Sequence, residues 1–134
     1  MLTPSSDVRQ YCIEQGFSDR VCEGGFEYLL RGWESTVAEV ESGYRALFDE
    51  YLNDVDGRHI ICSILPLADD KERAIVDSKL PQIDGRFLDA TVPTGKCIWG
   101  DEAAARDGLN ERGHWWYFRI PRKLDCVEDR ENWP

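Results

Sequence analysis

The sequence predicts a mainly α fold, a helical bundle of about four to five helices with a small C-terminal β-hairpin-like element. Three observations predict it. Apolar residues recur at spacings of three and four from Phe26 to Tyr44. Helix-start residues (Ser5 and Ser6, Ser18 and Asp19, Asp69 and Asp70) stand ahead of amphipathic stretches. From Lys96 onward aromatic and β-branched residues, the types that suit strands, replace the helical period. The 134 residues suit a single domain over 1–134. Its helical part covers 5–92, a β and short-helix cap 96–121, and an irregular tail 122–134.

Taken in order, Ser5 and Ser6 start a short helix through Val8, Tyr11, Cys12 and Ile13, closed by Gly16. Ser18 and Asp19 restart the helix, and Gly24 with Gly25 marks either a break or a point of close packing. The main stripe is Phe26, Leu29, Leu30, Trp33, Val37, Val40 and Tyr44. Gly32 within it is expected to let another helix come close. A third segment runs from Leu47 to Leu65, with Asp49 as a candidate cap, an interruption at Asp56 and Gly57, and a stop at Pro66. Asp69 and Asp70 cap a fourth helix, whose Val76, Leu80, Ile83 and Phe87 stay in phase across Pro81. Residues 97–99 and 115–120 read as strands, and 101–106 as a short helix between them.

The 26 acidic and 16 basic side chains give a net charge of −10. That balance argues against a nucleic-acid partner, which needs a dense basic face. No apolar run approaches the ~18–20 residues of a membrane span, so no membrane partner is expected and the cytoplasm is the expected location. Cys12, Cys22, Cys62, Cys97 and Cys126 are irregularly spaced with no C-x-x-C pair, which suggests free thiols in a reducing compartment. No cofactor or metal motif is present. Residues 53–57 invite a calcium-loop reading, but aligning Gly57 with the obligatory glycine leaves Ser63 where a bidentate acid belongs. Asp54 and Arg58, four residues apart, suit an ion pair on a polar helix face instead.

Three groups of residues are candidate sites. Residues 1–70 hold 14 acids and five bases, so nearly all of the excess charge lies in the first half. Within it Glu27, Glu34 and Glu41 recur every seven residues, with Glu23 one turn ahead if the helix is continuous. They form either a solvated face or a negative ridge for a basic protein. In the second group Asn53, Asp54, Asp56, Arg58 and His59 concentrate polar groups on an apolar segment. Together with Trp99, Asp101 and His114 they form either a polar seam or a pocket for proton transfer. Third, strand alternation puts Trp115, Tyr117 and Arg119 on one face and Trp116, Phe118 and Ile120 on the other. One face covers the bundle; the first, if exposed, has the residue types of an interface hot spot.

The segment 51–58 (YLNDVDGR), with Ile98, Trp99, Gly100, Asp101 and Glu102 and the run His114, Trp115, Trp116, Tyr117 and Phe118, resembles a family of small bacterial proteins of unassigned function. The resemblance implies no activity, cofactor or catalytic residue. It does imply that the polar segment and the Trp-rich run belong to one architecture. The expectation is a small acidic cytoplasmic binding protein, an immunity-type inhibitor of a basic toxin such as a nuclease, rather than an enzyme. The alternatives are a ligand-binding protein or enzyme using the polar pocket, and a structural or oligomerising domain.

Overall fold

The computed structural model describes residues 3–126 and 128–134. Ser5 opens α1 (Ser6–Glu14) by accepting the Val8 N–H on its hydroxyl, and Ser18 opens α2 (Asp19–Ser42) through the Val21 N–H. Helix α2 bends at Gly25, where φ is +57°. A Cβ there would meet Pro4 Cγ at 2.8 Å, so the glycine pair supplies both the break and the close approach. After the bend, Phe26, Leu29, Leu30, Trp33, Val37 and Val40 are buried as the period requires. Tyr44 is buried too, but beyond the helix end, with its amide on the Lys123 carbonyl.

Helix α3 (Phe48–Ile64) runs unbroken through Asp56 and Gly57, which corrects the expected interruption there. Asp49 is not its cap. The Phe48 N–H is instead accepted by the Asp129 carboxylate at 2.6 Å, from the far end of the chain. Pro66 ends the helix in a 3-10 turn, Leu65–Leu67. Helix α4 (Asp70–Ala90) passes Pro81 as one element and buries Val76, Leu80, Ile83 and Phe87. Helix α2 is the centre of the bundle, with α1, α3 and α4 packed against it. Gly32 takes no part in that packing. It is exposed, and a Cβ there would find no atom within 4 Å.

Strands β1 (Thr91–Pro93) and β2 (Arg119–Pro121) pair antiparallel, Val92 opposite Ile120. The small β element is therefore present, but of the expected strands only Arg119 and Ile120 belong to it. Residues 97–99 form a turn and Trp115–Phe118 a 3-10 turn, with α5 (Asp101–Asp107) between them. Burial overrides propensity here: Trp116, Tyr117 and Phe118 are all buried in succession. In a two-stranded edge sheet, alternation would leave one face of such a run in water. The tail is also less irregular than expected. It holds a 3-10 turn, Arg130–Asn132, and packs the buried Trp133 ring against Tyr44, Phe48 and Tyr51. Among the described residues no helix is long and apolar enough to cross a membrane. The five cysteines are free thiols, four of them buried and Cys62 half-buried.

Candidate functional site

The unbroken course of α3 sorts its polar run by helical period. Arg58 turns inward, where its Nε and Nη2 donate to Asp84 of α4 at 2.9 and 3.0 Å, and its guanidinium lies 4.4 Å from the Trp116 ring centre. The expected Asp54–Arg58 pair does not form. Asp54 accepts the Tyr44 hydroxyl at 2.7 Å instead, and burial together with that carboxylate holds the Tyr44 phenol protonated far above its usual range.

Asp56 and His59 face a cleft of about 510 Å³ that Trp99, Arg106, Asp107, His114 and Tyr117 also line. One carboxylate oxygen, Asp56 Oδ1, accepts both the Tyr117 hydroxyl at 2.6 Å and the Trp99 Nε1–H at 3.1 Å. The polar segment of α3 and the Trp-rich run thus meet at Asp56. Burial, then the Asp56 hydrogen bond, pushes the Tyr117 phenol well above its usual range. The His59 ring lies 5.2 Å from Tyr117 and 5.6 Å from His114, and its buried Nδ1 has no hydrogen-bond partner among the described residues. Burial, then the neighbouring His114, lowers the His59 pKa against the opposing pull of Asp56. His114 Nδ1 accepts the Asn110 N–H at 3.2 Å, which assigns the proton of the neutral ring to Nε2. Arg106 donates twice to Asp107, at 3.1 Å each, and draws the Asp107 carboxyl down.

On the other side of Asp56, a groove of about 550 Å³ runs between α2 and α3. Tyr28, Leu29, Trp33 and Ile60 make its apolar part, Asn53, Asp54 and Asp56 its edge on α3, and Arg31 and Thr36 line it from α2. Gly32 and Gly57 both line it, and neither would bring a Cβ within 4 Å of another group. Burial, then Asp54 and Glu50, raises the Glu39 pKa, the mark of acids crowded around Asp54. Among the described residues no basic side chain pairs with Glu39, Glu50, Asp54 or Asp56.

The expected ridge divides. Glu23 precedes the Gly25 bend and lines a small cleft towards α1, beside Arg9 and Asp19. Glu27 and Glu34 line a cleft of about 310 Å³ towards α4, with Lys79 and Arg86 opposite. Arg86 binds Glu34 at 3.4 Å and Glu41 at 2.7 Å, and this contact lowers the Glu41 pKa. The third group also separates. Tyr117 is buried and Trp115 half-buried, while the Arg119 guanidinium donates to Thr91 and to the Leu88 carbonyl. Asp101 stands exposed at the start of α5, outside the cleft lining. Sequence reasoning missed Arg106 and Asp107, whose adjacent opposite charges at the end of α5 were the available signal. It also missed Asp84, which nothing local ties to Arg58.

Compared with protein families, curated proteins and solved structures, the chain matches no family, no curated protein and no solved structure.

Proposed function

We propose that this chain is a small acidic binding protein that docks a basic protein along the α2–α3 groove, in the manner of an immunity-type inhibitor of a basic toxin such as a nuclease. One observation carries the reading: Asp54 and Asp56 line a groove with an apolar part, Glu39 and Glu50 lie near Asp54, and none of the four acids has a basic partner among the described residues. Apolar contact flanked by acids that outnumber the one lining cation, Arg31, supplies affinity and selects partners of opposite sign. Glu34 and Glu41 fit the role less well, because both already contact Arg86, which offsets part of their charge.

The test is capture from lysate of the native cells with wild-type protein and two doubly substituted chains. Glu39→Lys with Glu50→Lys should lose a basic partner, and Glu34→Lys with Glu41→Lys should keep it. Retention of that partner by the first variant, or an acidic partner, would sink the proposal. A second reading has its own support. Asp56, His59 and His114 share one cleft with groups suited to proton transfer, which fits a ligand-binding protein or enzyme, although Asp54 faces the other groove.

A further inference from the structure

The molecule builds one guanidinium site internally. The Asp84 carboxylate is held by the Trp33 Nε1–H at 2.9 Å, accepts two N–H groups of Arg58, and the cation lies over the Trp116 ring. Asp56 repeats the same parts at the surface. Its Oδ1 is held by the Trp99 indole and the Tyr117 hydroxyl, as Asp84 Oδ1 is held by Trp33. Its second oxygen, Oδ2, takes no hydrogen bond from the described residues. Aromatic surface stands beside it: Tyr117 and His59 lie ring against ring, and Trp99 is among the exposed large side chains. The charge of the cleft is negative, because the Arg106 cation is bound to Asp107 and Asp56 has no basic partner among the described residues.

A fixed carboxylate among flat rings favours a guanidinium over an ammonium. The guanidinium is planar, weakly hydrated and able to stack while its N–H groups reach an oxygen in their own plane. Asp56 also lines the α2–α3 groove, so a chain lying in that groove passes the mouth of this cleft.

We infer that the Asp56 cleft receives an arginine side chain of the basic partner, with the guanidinium on Asp56 Oδ2 and against the Trp99, His59 and Tyr117 rings. This rests on the docking reading above and adds its anchor, since buried arginines are frequent hot spots.

The probe is Nα-acetyl-arginine methylamide, titrated into the full chain while the Trp99 indole and both imidazoles are followed by NMR. Saturable shifts of those signals are expected, with the matching lysine compound at least about fivefold weaker. Asp56→Asn should weaken arginine binding about tenfold or more and reduce partner capture. Trp99→Leu, which leaves the carboxylate in place, should weaken both as well, and covers the case in which Asp56→Asn does not fold. Equal binding of arginine and lysine compounds, or shifts confined to the Glu34 and Glu41 region, overturns the inference. Arginine binding with partner capture untouched by both variants overturns it too, since the cleft would then serve free guanidinium compounds. Failure of docking itself reads out separately: the Glu39→Lys, Glu50→Lys chain keeps arginine-probe binding whether or not it holds a partner.

Discussion

Arg58 and Asp84 join three helices at one point. The Asp84 carboxylate takes the Arg58 Nε–H and Nη2–H at 2.9 and 3.0 Å and the Trp33 Nε1–H at 2.9 Å, so α2, α3 and α4 share a single acceptor group. The pair is mostly removed from water, with 10% and 16% of the two side chains exposed. Removing one partner of such a pair leaves a buried charge, at a typical cost of about 3–5 kcal/mol. Asp84→Ala should therefore destabilise by about that amount, and it also strips the Trp33 N–H of its acceptor. Replacing both, as Arg58→Met with Asp84→Leu, should cost clearly less than the two single losses added together. Urea unfolding of wild type, Arg58→Met, Asp84→Leu and the double variant, the four corners of a double-mutant cycle, checks this. Equal, additive losses would show that the charges act independently.

Glu72 ties the start of α4 to the start of α1. It is fully buried, its Oε1 accepts the Asp69 N–H at 3.0 Å and its Oε2 accepts the Ser5 N–H at 3.2 Å. The Asp69 carboxylate returns the contact by accepting the Glu72 N–H at 2.8 Å. Glu72→Gln keeps the shape but turns one acceptor into a donor facing an N–H, so one of the two bonds is lost. Glu72→Ala loses both and leaves two amides to find water. Losses of about 1–2 kcal/mol for Gln and more for Ala are expected. Hydrogen exchange at the Ser5 and Asp69 amides should quicken in both variants, and unchanged protection at Ser5 would contradict the link.

What the sequence made legible was local. The caps Ser5, Ser18 and Asp69, the stop at Pro66 and the buried stripe of α2 each depend on residues within about a turn of one another. What it hid was set by distant partners. Asp129 caps α3 across 81 positions, and Arg58 finds Asp84 26 positions away in preference to Asp54 four positions away. The run from Trp115 to Phe118 reads as a strand by residue type and is a 3-10 turn because three of its rings are buried together. At the candidate site, Asp56, His59, Trp99 and His114 were legible as polar and aromatic groups in an apolar setting. Their division between a cleft and a groove was not, because it depends on α3 running straight through Gly57.

His59 predicts a pH dependence. Its pKa in the folded chain lies below the ordinary value near 6.5, chiefly through burial and secondly through His114, with Arg58 in the same sense and Asp56 and Asp107 opposed. The unfolded chain therefore binds the proton first as pH falls. Stability contributed by the neutral ring is present above about pH 6.5 and declines as pH drops from there towards the lower folded value. Unfolding free energy should fall between pH 7.5 and 5.5, values set about the ordinary histidine pKa. His59→Phe should flatten that part of the profile. An unchanged slope in His59→Phe would place the dependence elsewhere.

Gly32 and Gly57 cost the helices stability on one face. Both are within helices, neither has positive φ, and a Cβ at either would touch nothing within 4 Å. Gly32→Ala and Gly57→Ala should each stabilise by about 0.5–1 kcal/mol, by lowering the freedom of the unfolded chain. Gly25→Ala is the contrasting case, since φ of +57° and Pro4 Cγ at 2.8 Å make it destabilising. Thermal melts of the three variants check the signs. Both permissive glycines line the α2–α3 groove, so the same substitutions probe docking. A longer side chain, Gly32→Gln, should fold as well as Gly32→Ala because it extends into open space. It should nevertheless reduce capture of a basic partner by filling the groove between Tyr28 and Ile60. Capture unaffected by Gly32→Gln would mean that a partner, if one binds, approaches over another face.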